Sequence, residues 1–190
     1  ELCIILKPFL RGNTLGMFDC ESTVDLDAPF VVIDLSRITE EFTKFYATFV
    51  ILNWAWSDFA IKYKGNKFIV VDEAWMFMKY PESAVFLETW ARRGRKHFAG
   101  LVLASQFVEE FLAREEGRAV INNCASKILL GQQPTVAETI IQEFKMPAGL
   151  GQILGTFRNG ECLFTMGNQT AYCKIEILPH EMQFFATGAC

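Results

Sequence analysis

Short apolar runs alternate along this chain with longer segments in which apolar residues recur at helical spacing. The runs are rich in Val, Ile and Leu, as in strands buried on both faces of a sheet, and they span residues 29–36, 68–71, 99–106 and 126–132. The spacing between and after them predicts helices over 40–63, 82–96, 107–122 and 134–145. Gly117 marks a point at which the third helix could break.

The last part of the chain has a different pattern. From Gly155 to Leu178, short strands alternate with Asn-Gly and Gly-Asn turns, which is typical of a hairpin. Strands that alternate with helices predict an α/β fold with a largely parallel sheet, flanking helices and a C-terminal β-hairpin. Because no repeat or low-complexity tract interrupts the pattern, we predict one domain over residues 1–190.

Composition narrows the class of protein. The chain is 51% hydrophobic and 21% charged, which is enough apolar material for a globular core. Its net charge of −4 gives no sign of a surface that neutralises nucleic-acid phosphates, so DNA contact would need a local basic patch. The apolar segment 42–64 contains Asn53, Ser57 and Asp58, and is better explained as a buried helix than as a membrane span.

The six cysteines do not form a metal-binding pattern. None belongs to a CxxC pair, and neither histidine lies near a cysteine at zinc-finger spacing. We therefore expect reduced thiols in a cytosolic protein. Cys162 and Cys173 are placed to face each other across the predicted hairpin, and a disulfide there is the weaker alternative.

The first candidate site follows the apolar run 68–71, where Asp72 and Glu73 come directly after the strand. Nucleotide-driven motors use one such carboxylate to hold the Mg²⁺ that bridges the β- and γ-phosphates, and often a second acid to polarise the attacking water. Asp72 suits the first role and Glu73 the second. A strand that ends in an ordinary acidic turn is the structural alternative, and this stretch alone does not decide between the two.

Two more polar groups follow in an order that suits the same chemistry. The basic cluster 92–96 ends the next predicted helix, where an arginine could stabilise a transferring phosphoryl group or simply complement the helix dipole. Ser105 and Gln106 close the following strand; Gln106 could sense a γ-phosphate, and Ser105 could instead cap a helix. From this succession of strand, helix and strand, we expect all three groups at one edge of a sheet.

The segments around these three candidate groups resemble the VirB/TraC-type ATPases of type IV secretion and conjugation, within the RecA-like group that includes FtsK and HerA. The resemblance covers nearly the whole chain, and its most specific parts are the Asp-Glu-Ala-Trp stretch and the Ala-Arg-x-x-Arg-Lys cluster. The matching stretches are FIVVDEAWMFM, FLETWARRGRKHFAGLVLASQ, AVINNCASKILLGQ and NGECLFTMG with LPHEMQFFAT. The resemblance implies a RecA-like P-loop NTPase core that uses ATP and Mg²⁺.

The resemblance also assigns roles to individual residues. It implies that Asp72 binds Mg²⁺, that Glu73 is the catalytic acid, and that Gln106 is the glutamine that follows the next strand in such ATPases. It implies that Arg92 and Arg95 belong to the arginine cluster with finger or sensor roles. Residue 105 is Ser where Thr is more frequent, which keeps the hydroxyl group.

The main departure from the family is the phosphate-binding loop, because no G-x-x-x-x-G-K-[ST] motif occurs in the chain. Residues 12–16 are followed by Met17 and Phe18, and Lys67 follows Gly65-Asn66 without a glycine framework. Such a loop supplies the backbone N–H groups and the lysine that hold the phosphates. We therefore expect this chain alone to bind ATP weakly or not at all, and the resemblance implies that the loop lies upstream.

The family further implies a hexamer of identical subunits, peripheral to the cell membrane on its cytoplasmic side, with other secretion-system components as partners. ATP hydrolysis would drive channel or pilus assembly and substrate transfer. One alternative is a DNA-translocating ATPase or coupling protein of the HerA or FtsK kind, which would share the acids and arginines. The other is a non-enzymatic fragment that only packs against partner subunits.

Overall fold

The structure is a computed structural model that describes residues 2–21 and 28–185. It forms two compact units, one from residues up to 70 together with 93–102, and the other from 71–92 together with residues from 103 onward. The predicted fold class is confirmed: the chain is α/β, with paired parallel strands, flanking helices and an antiparallel sheet toward the C-terminus. The single domain over 1–190 stays a prediction.

The two strands that precede the candidate site residues lie side by side. β1 (Lys67–Val71) is hydrogen-bonded to β2 (Ala99–Leu103). The Lys67 N–H donates to the Phe98 carbonyl at 3.0 Å near one end of the pair, and the Ala104 N–H donates to the Val71 carbonyl at 2.9 Å at the other. Both strands therefore run in the same direction. The connection between them contains α3 (Pro81–Arg93) and a 3₁₀ turn (Gly94–His97), as parallel pairing requires.

The first unit is mainly helical before β1. It begins with α1 (Leu2–Leu6), followed by 3₁₀ turns at Lys7–Phe9 and Gly16–Phe18. α2 (Glu41–Trp54) continues into a π-helical turn (Ala55–Ala60), so the helix predicted over 40–63 is largely confirmed. Within the described residues, no helix combines the length and apolarity that crossing a membrane would take.

A carboxylate sets the start of α2. Glu40 is the N-cap residue, and its side chain accepts hydrogen bonds from the Phe42 N–H at 2.9 Å and the Thr43 N–H at 2.6 Å. The first N–H groups of an α-helix have no carbonyl to donate to within the helix, so a capping acceptor fixes where the helix begins.

The strand predicted over 29–36 is not formed. Residues 31–35 belong to no helix or strand, and Phe30 and Val32 are 82% and 73% exposed. An apolar β-branched run becomes a strand only when a neighbour accepts and donates its backbone hydrogen bonds. None of the strands in the described part of the chain pairs with this segment.

The helices of the second unit after β2 are short. They are α4 (Val108–Leu112), α5 (Glu115–Asn123), α6 (Pro134–Glu143), α7 (Gly149–Leu154) and α8 (Met182–Phe185). The helix predicted over 107–122 is broken after Leu112, whereas Gly117 lies buried inside α5. A Cβ atom at Gly117 would meet the Phe111 carbonyl oxygen at 2.2 Å, so this glycine permits the close approach of α5 to α4.

The C-terminal sheet has the order β3-β4-β5, formed by Ser126–Leu130, Glu161–Met166 and Gln169–Lys174. The predicted hairpin is confirmed: β4 and β5 are antiparallel and joined at Gly167, which has φ 58° as the first turn residue. β3 pairs antiparallel with β4. The core of this region contains Ala137, Ile140, Leu154 and Leu163.

The two cysteines of the hairpin are register partners, as predicted. Cys162 lies opposite Cys173, and both are free thiols. Burial, and secondarily the neighbouring Cys173, raises the pKa of the Cys162 thiol. A raised pKa disfavours the reactive thiolate at Cys162.

Candidate functional site

The chain turns sharply where β1 ends. Asp72 is exposed, and one of its carboxylate oxygens accepts a hydrogen bond from the Glu73 N–H at 2.9 Å. Glu73 has φ 51° and ψ 41°, the left-handed conformation that residues other than glycine rarely adopt. A 3₁₀ turn (Ala74–Met78) follows, and the Ala74 N–H donates to the Ala104 carbonyl at 3.0 Å. The backbone of the acidic turn is thereby tied to the segment that follows β2.

Both oxygens of the Glu73 carboxylate accept a hydrogen bond. The indole Nε1–H of Trp75 donates to Oε2 at 2.5 Å, and the side-chain amide of Gln106 donates to Oε1 at 3.1 Å. The structure therefore brings Gln106 to Glu73, as the sequence order predicted. A carboxylate has about four lone-pair positions, so each oxygen keeps the capacity to accept a further proton donor.

The segment after β2 is organised by its own side chains. The Phe107 N–H donates to the Ser105 hydroxyl at 3.3 Å, which closes a small turn around Gln106. α4 starts at Val108 with no side-chain cap, so Ser105 shapes this turn and does not cap the helix. The Phe107 ring meets the Trp75 ring edge to face, with 5.3 Å between the ring centroids.

The arginine cluster is exposed. Arg92 lies in the last turn of α3, and its guanidinium is 2.6 Å from the Glu88 carboxylate, one helical turn earlier. Arg95 lies in the 3₁₀ turn that follows and is also exposed. This turn leads into the amino end of β2, so the predicted position of the arginines beside the acids and Gln106 is not confirmed. The observed ion pair of Arg92 is with Glu88, so the finger or sensor roles of Arg92 and Arg95 stay predictions.

The donor set suits a Mg²⁺ ion that is shared with a nucleotide. Among the residues that the structure describes, no three or more His, Cys, Asp or Glu side chains cluster as a metal cage. Mg²⁺ does not require one, because it commonly binds one or two carboxylates and completes its shell with phosphate oxygens and water. Asp72 offers an exposed carboxylate at a strand end, with one oxygen fixed by the Glu73 N–H.

Lys67 does not act as a phosphate-binding lysine in this structure. It is only 4% exposed at the start of β1, and its ammonium donates to the carbonyls of Tyr63 and Gly65. The ammonium also lies 5.4 Å from the centroid of the Tyr63 ring. These contacts make Lys67 a structural residue of the turn before β1, in agreement with the missing glycine framework.

Sequence reasoning missed two residues of the site, Trp75 and Phe107. Each stands next to a predicted site residue: Trp75 is two positions after Glu73, and Phe107 follows Gln106 directly. The signal was a tryptophan next to an acidic pair, where its indole N–H needs an acceptor. Only the structure shows that this acceptor is the Glu73 carboxylate.

Comparison with known proteins identifies the family. Residues 1–144 match the model of the TraG P-loop domain. The structure of VirB4 of Thermoanaerobacter pseudethanolicus is similar, with a TM-score of 0.86 and 31% identity over 96% of this chain. The match covers 51% of that VirB4 chain, so the present chain spans about half the length of this relative.

Two further comparisons do not contribute to the family assignment. The genome packaging NTPase B204 from Sulfolobus turreted icosahedral virus 2, solved in complex with AMPPCP, is 17% identical with a TM-score of 0.43, over 73% of this chain and 62% of that one. No match was found among curated proteins. The model of the TraG P-loop domain matches most of the chain, and the structure of VirB4 is similar over nearly all of it. This chain therefore belongs to the VirB4/TraG-type ATPases of type IV secretion.

Proposed function

We propose that this chain supplies the catalytic carboxylates of an ATP-driven type IV secretion motor. The observation that carries the proposal is the hydrogen bond of 3.1 Å from Gln106 to Glu73, which joins the ends of two neighbouring parallel strands. Ligand sites of α/β sheets lie at the carboxyl ends of the parallel strands, which is where both residues are found. A plain acidic turn would not need its glutamate held from two directions.

Asp72 is the proposed Mg²⁺ ligand. Its exposed carboxylate follows β1, and the Glu73 N–H fixes one of its oxygens at 2.9 Å. When bound, Mg²⁺ neutralises charge on the β- and γ-phosphates. Asp72 itself provides a hard, anionic oxygen at a rigid strand end, which is the ligand type that this ion prefers.

Glu73 is the proposed general base for ATP hydrolysis. Its carboxylate accepts a proton from a water molecule while that water's oxygen attacks the γ-phosphorus. The bond from the γ-phosphorus to the β–γ bridging oxygen breaks, and ADP leaves with the electron pair. Gln106 holds the carboxylate through Oε1 and lies at the neighbouring strand end, where it can also orient the attacking water.

The remaining roles depend on the intact protein. Arg92 and Arg95 are proposed as finger or sensor residues within a hexamer, because a guanidinium can stabilise charge on the transferring phosphoryl group from a neighbouring subunit. The phosphate-binding loop is proposed to lie upstream in the same protein. The motor would act on the cytoplasmic side of the membrane with other secretion-system components, and drive channel or pilus assembly and substrate transfer.

Turnover of the intact protein tests the assignment. We expect Glu73→Gln to lower kcat by at least about 100-fold and to keep ATP binding, because general base catalysis contributes roughly that much and Gln keeps the side-chain shape. Asp72→Asn should weaken the Mg²⁺ dependence of ATP binding. Glu110→Gln is the matched control, because Glu110 is an exposed glutamate of α4 in the same unit.

Two results would contradict the proposal. An intact protein that binds and hydrolyses no ATP would make the acids structural and the chain a non-enzymatic part of the assembly. Full turnover in Glu73→Gln would show that Glu73 is not the general base. The isolated chain serves as a further comparison, since without a phosphate-binding loop it should bind ATP far more weakly than the intact protein.

A further inference from the structure

We infer that Trp75 is a positioning residue for Glu73, and that its indole N–H sets the orientation of the carboxylate that accepts the proton from water. This inference rests on the proposed function. The hydrogen bond from Trp75 Nε1 to Glu73 Oε2 is 2.5 Å long, shorter than the 3.1 Å bond from Gln106 to Oε1. The two donors bind different oxygens, so together they fix the rotation of the carboxylate about its last bond.

The backbone makes this contact possible. Glu73 is in the left-handed conformation and Ala74 begins a 3₁₀ turn, so the chain folds back within two residues. Trp75 is thereby brought close enough for its indole to reach the side chain of Glu73. The indole has one N–H and no acceptor, so it recognises the carboxylate in a single way.

The Trp75 ring is itself held in place. The Phe107 ring packs against it edge to face at 5.3 Å, and the Lys79 ammonium lies 4.6 Å from its centroid. Arg114 donates to the Lys79 carbonyl at 3.4 Å, which is a weak contact to the same turn. Edge-to-face rings and a cation over an aromatic face are both favourable, so the indole orientation does not depend on the hydrogen bond alone.

The segment 105–107 therefore acts on Glu73 along two routes. Gln106 contacts the carboxylate directly, and Phe107 acts through the Trp75 ring. A displacement of this segment would move both donors together. Trp75 thus couples the orientation of the general base to the segment at the end of the neighbouring strand.

Loss of the indole N–H should lower kcat and leave the KM for ATP unchanged. The loss of one hydrogen bond to a charged group corresponds to a decrease in kcat of about tenfold or somewhat more. Trp75 is assigned no contact with ATP, so ground-state binding should stay the same. A residue that stabilised only the fold would leave kcat per folded molecule unchanged, so the concentration of folded protein is measured for each variant and kcat is expressed per folded molecule.

The experiment compares two replacements of Trp75 in the intact protein. Trp75→Phe removes the N–H and part of the ring. Replacement of Trp75 by 3-benzothienylalanine keeps the ring size and puts sulfur where the N–H was. We expect both to lower kcat by about tenfold, with a KM for ATP within about twofold of the parent. Trp56→Phe is the control, because Trp56 packs its ring on His97 in the other unit and should leave kcat unchanged.

Each other outcome overturns the inference. Parent-level kcat in the benzothienyl variant would mean that the ring and not the N–H matters, and this variant decides even if Trp75→Phe fails to fold. A rise in KM at constant kcat would assign Trp75 to nucleotide binding. Normal turnover in both Trp75 variants, together with an inactive Glu73→Gln, would refute the positioning role of Trp75 and leave the proposed function intact. An active Glu73→Gln would refute the proposed function itself.

Discussion

Replacement of Gly117 by alanine should destabilise this protein, although alanine is the better helix former. Gly117 is buried within α5, and a Cβ atom there would lie 2.2 Å from the Phe111 carbonyl oxygen and 2.7 Å from its Cα. Both atoms belong to the backbone of α4, so no side-chain rotation can relieve the overlap. The two helices would have to move apart.

Two opposing contributions set the size of the effect. Alanine gains about 1 kcal/mol over glycine inside a helix. Overpacking of a close contact costs about 1–3 kcal/mol, and overlap with rigid backbone corresponds to the upper end of that range. The net loss is therefore about 2 kcal/mol, which in a protein of this size lowers the melting temperature by roughly 4–8 °C.

Thermal unfolding of the purified protein checks this estimate. Gly149→Ala is the matched control, because Gly149 also lies in a helix, α7, and a Cβ atom there would meet nothing within 4 Å. That variant should melt at or slightly above the parent temperature. If Gly117→Ala is equally stable, the close approach of α4 and α5 is not a constraint, and the reasoning from Phe111 fails.

Two further predictions concern charge. The Arg158 N–H at 2.7 Å, and then the Tyr172 hydroxyl at 2.9 Å, hold the pKa of Glu161 below its ordinary value. A lowered folded-state pKa stabilises the fold above about pH 4.3, and this stability is lost as the pH falls through the folded-state pKa. Because a glutamine at this position could not be protonated in this range, the melting temperature of Glu161→Gln should fall less on acidification than that of the parent. Arg92→Ala should change the melting temperature by no more than about 2 °C, because its guanidinium is exposed and pairs with Glu88 one helical turn away, an arrangement worth about 0.5 kcal/mol. A larger drop in melting temperature would make Arg92 structural, and lost turnover in a stable variant would support its finger role.

The sequence predicted most helices and strands because their signals are local. The apolar run before Asp72 and the run before Gln106 became the parallel pair β1 and β2, and the Gly167 turn became the hairpin. The contact of Glu73 with Gln106 could also be anticipated, because it follows from strand order alone. What is local or topological was therefore accessible before the structure.

What depends on non-local partners was not accessible. The run 29–36 has a strand composition, yet none of the described strands pairs with it, and composition does not reveal whether a partner exists. Gly117 was interpreted as a helix breaker, whereas it permits a close approach to Phe111 that depends on another helix. The role of Trp75 depends on the direction of one N–H, which no residue pattern encodes.

The left-handed backbone at Glu73 has a consequence for how this protein could be engineered. A glutamate in that conformation costs roughly 1–3 kcal/mol relative to a relaxed backbone, whereas glycine adopts it freely. Variants selected for heat resistance alone would therefore tend to replace Glu73, since the strain would be relieved at that position. Retention of the glutamate would then require a selection that also demands turnover, because at this residue stability and activity favour different side chains.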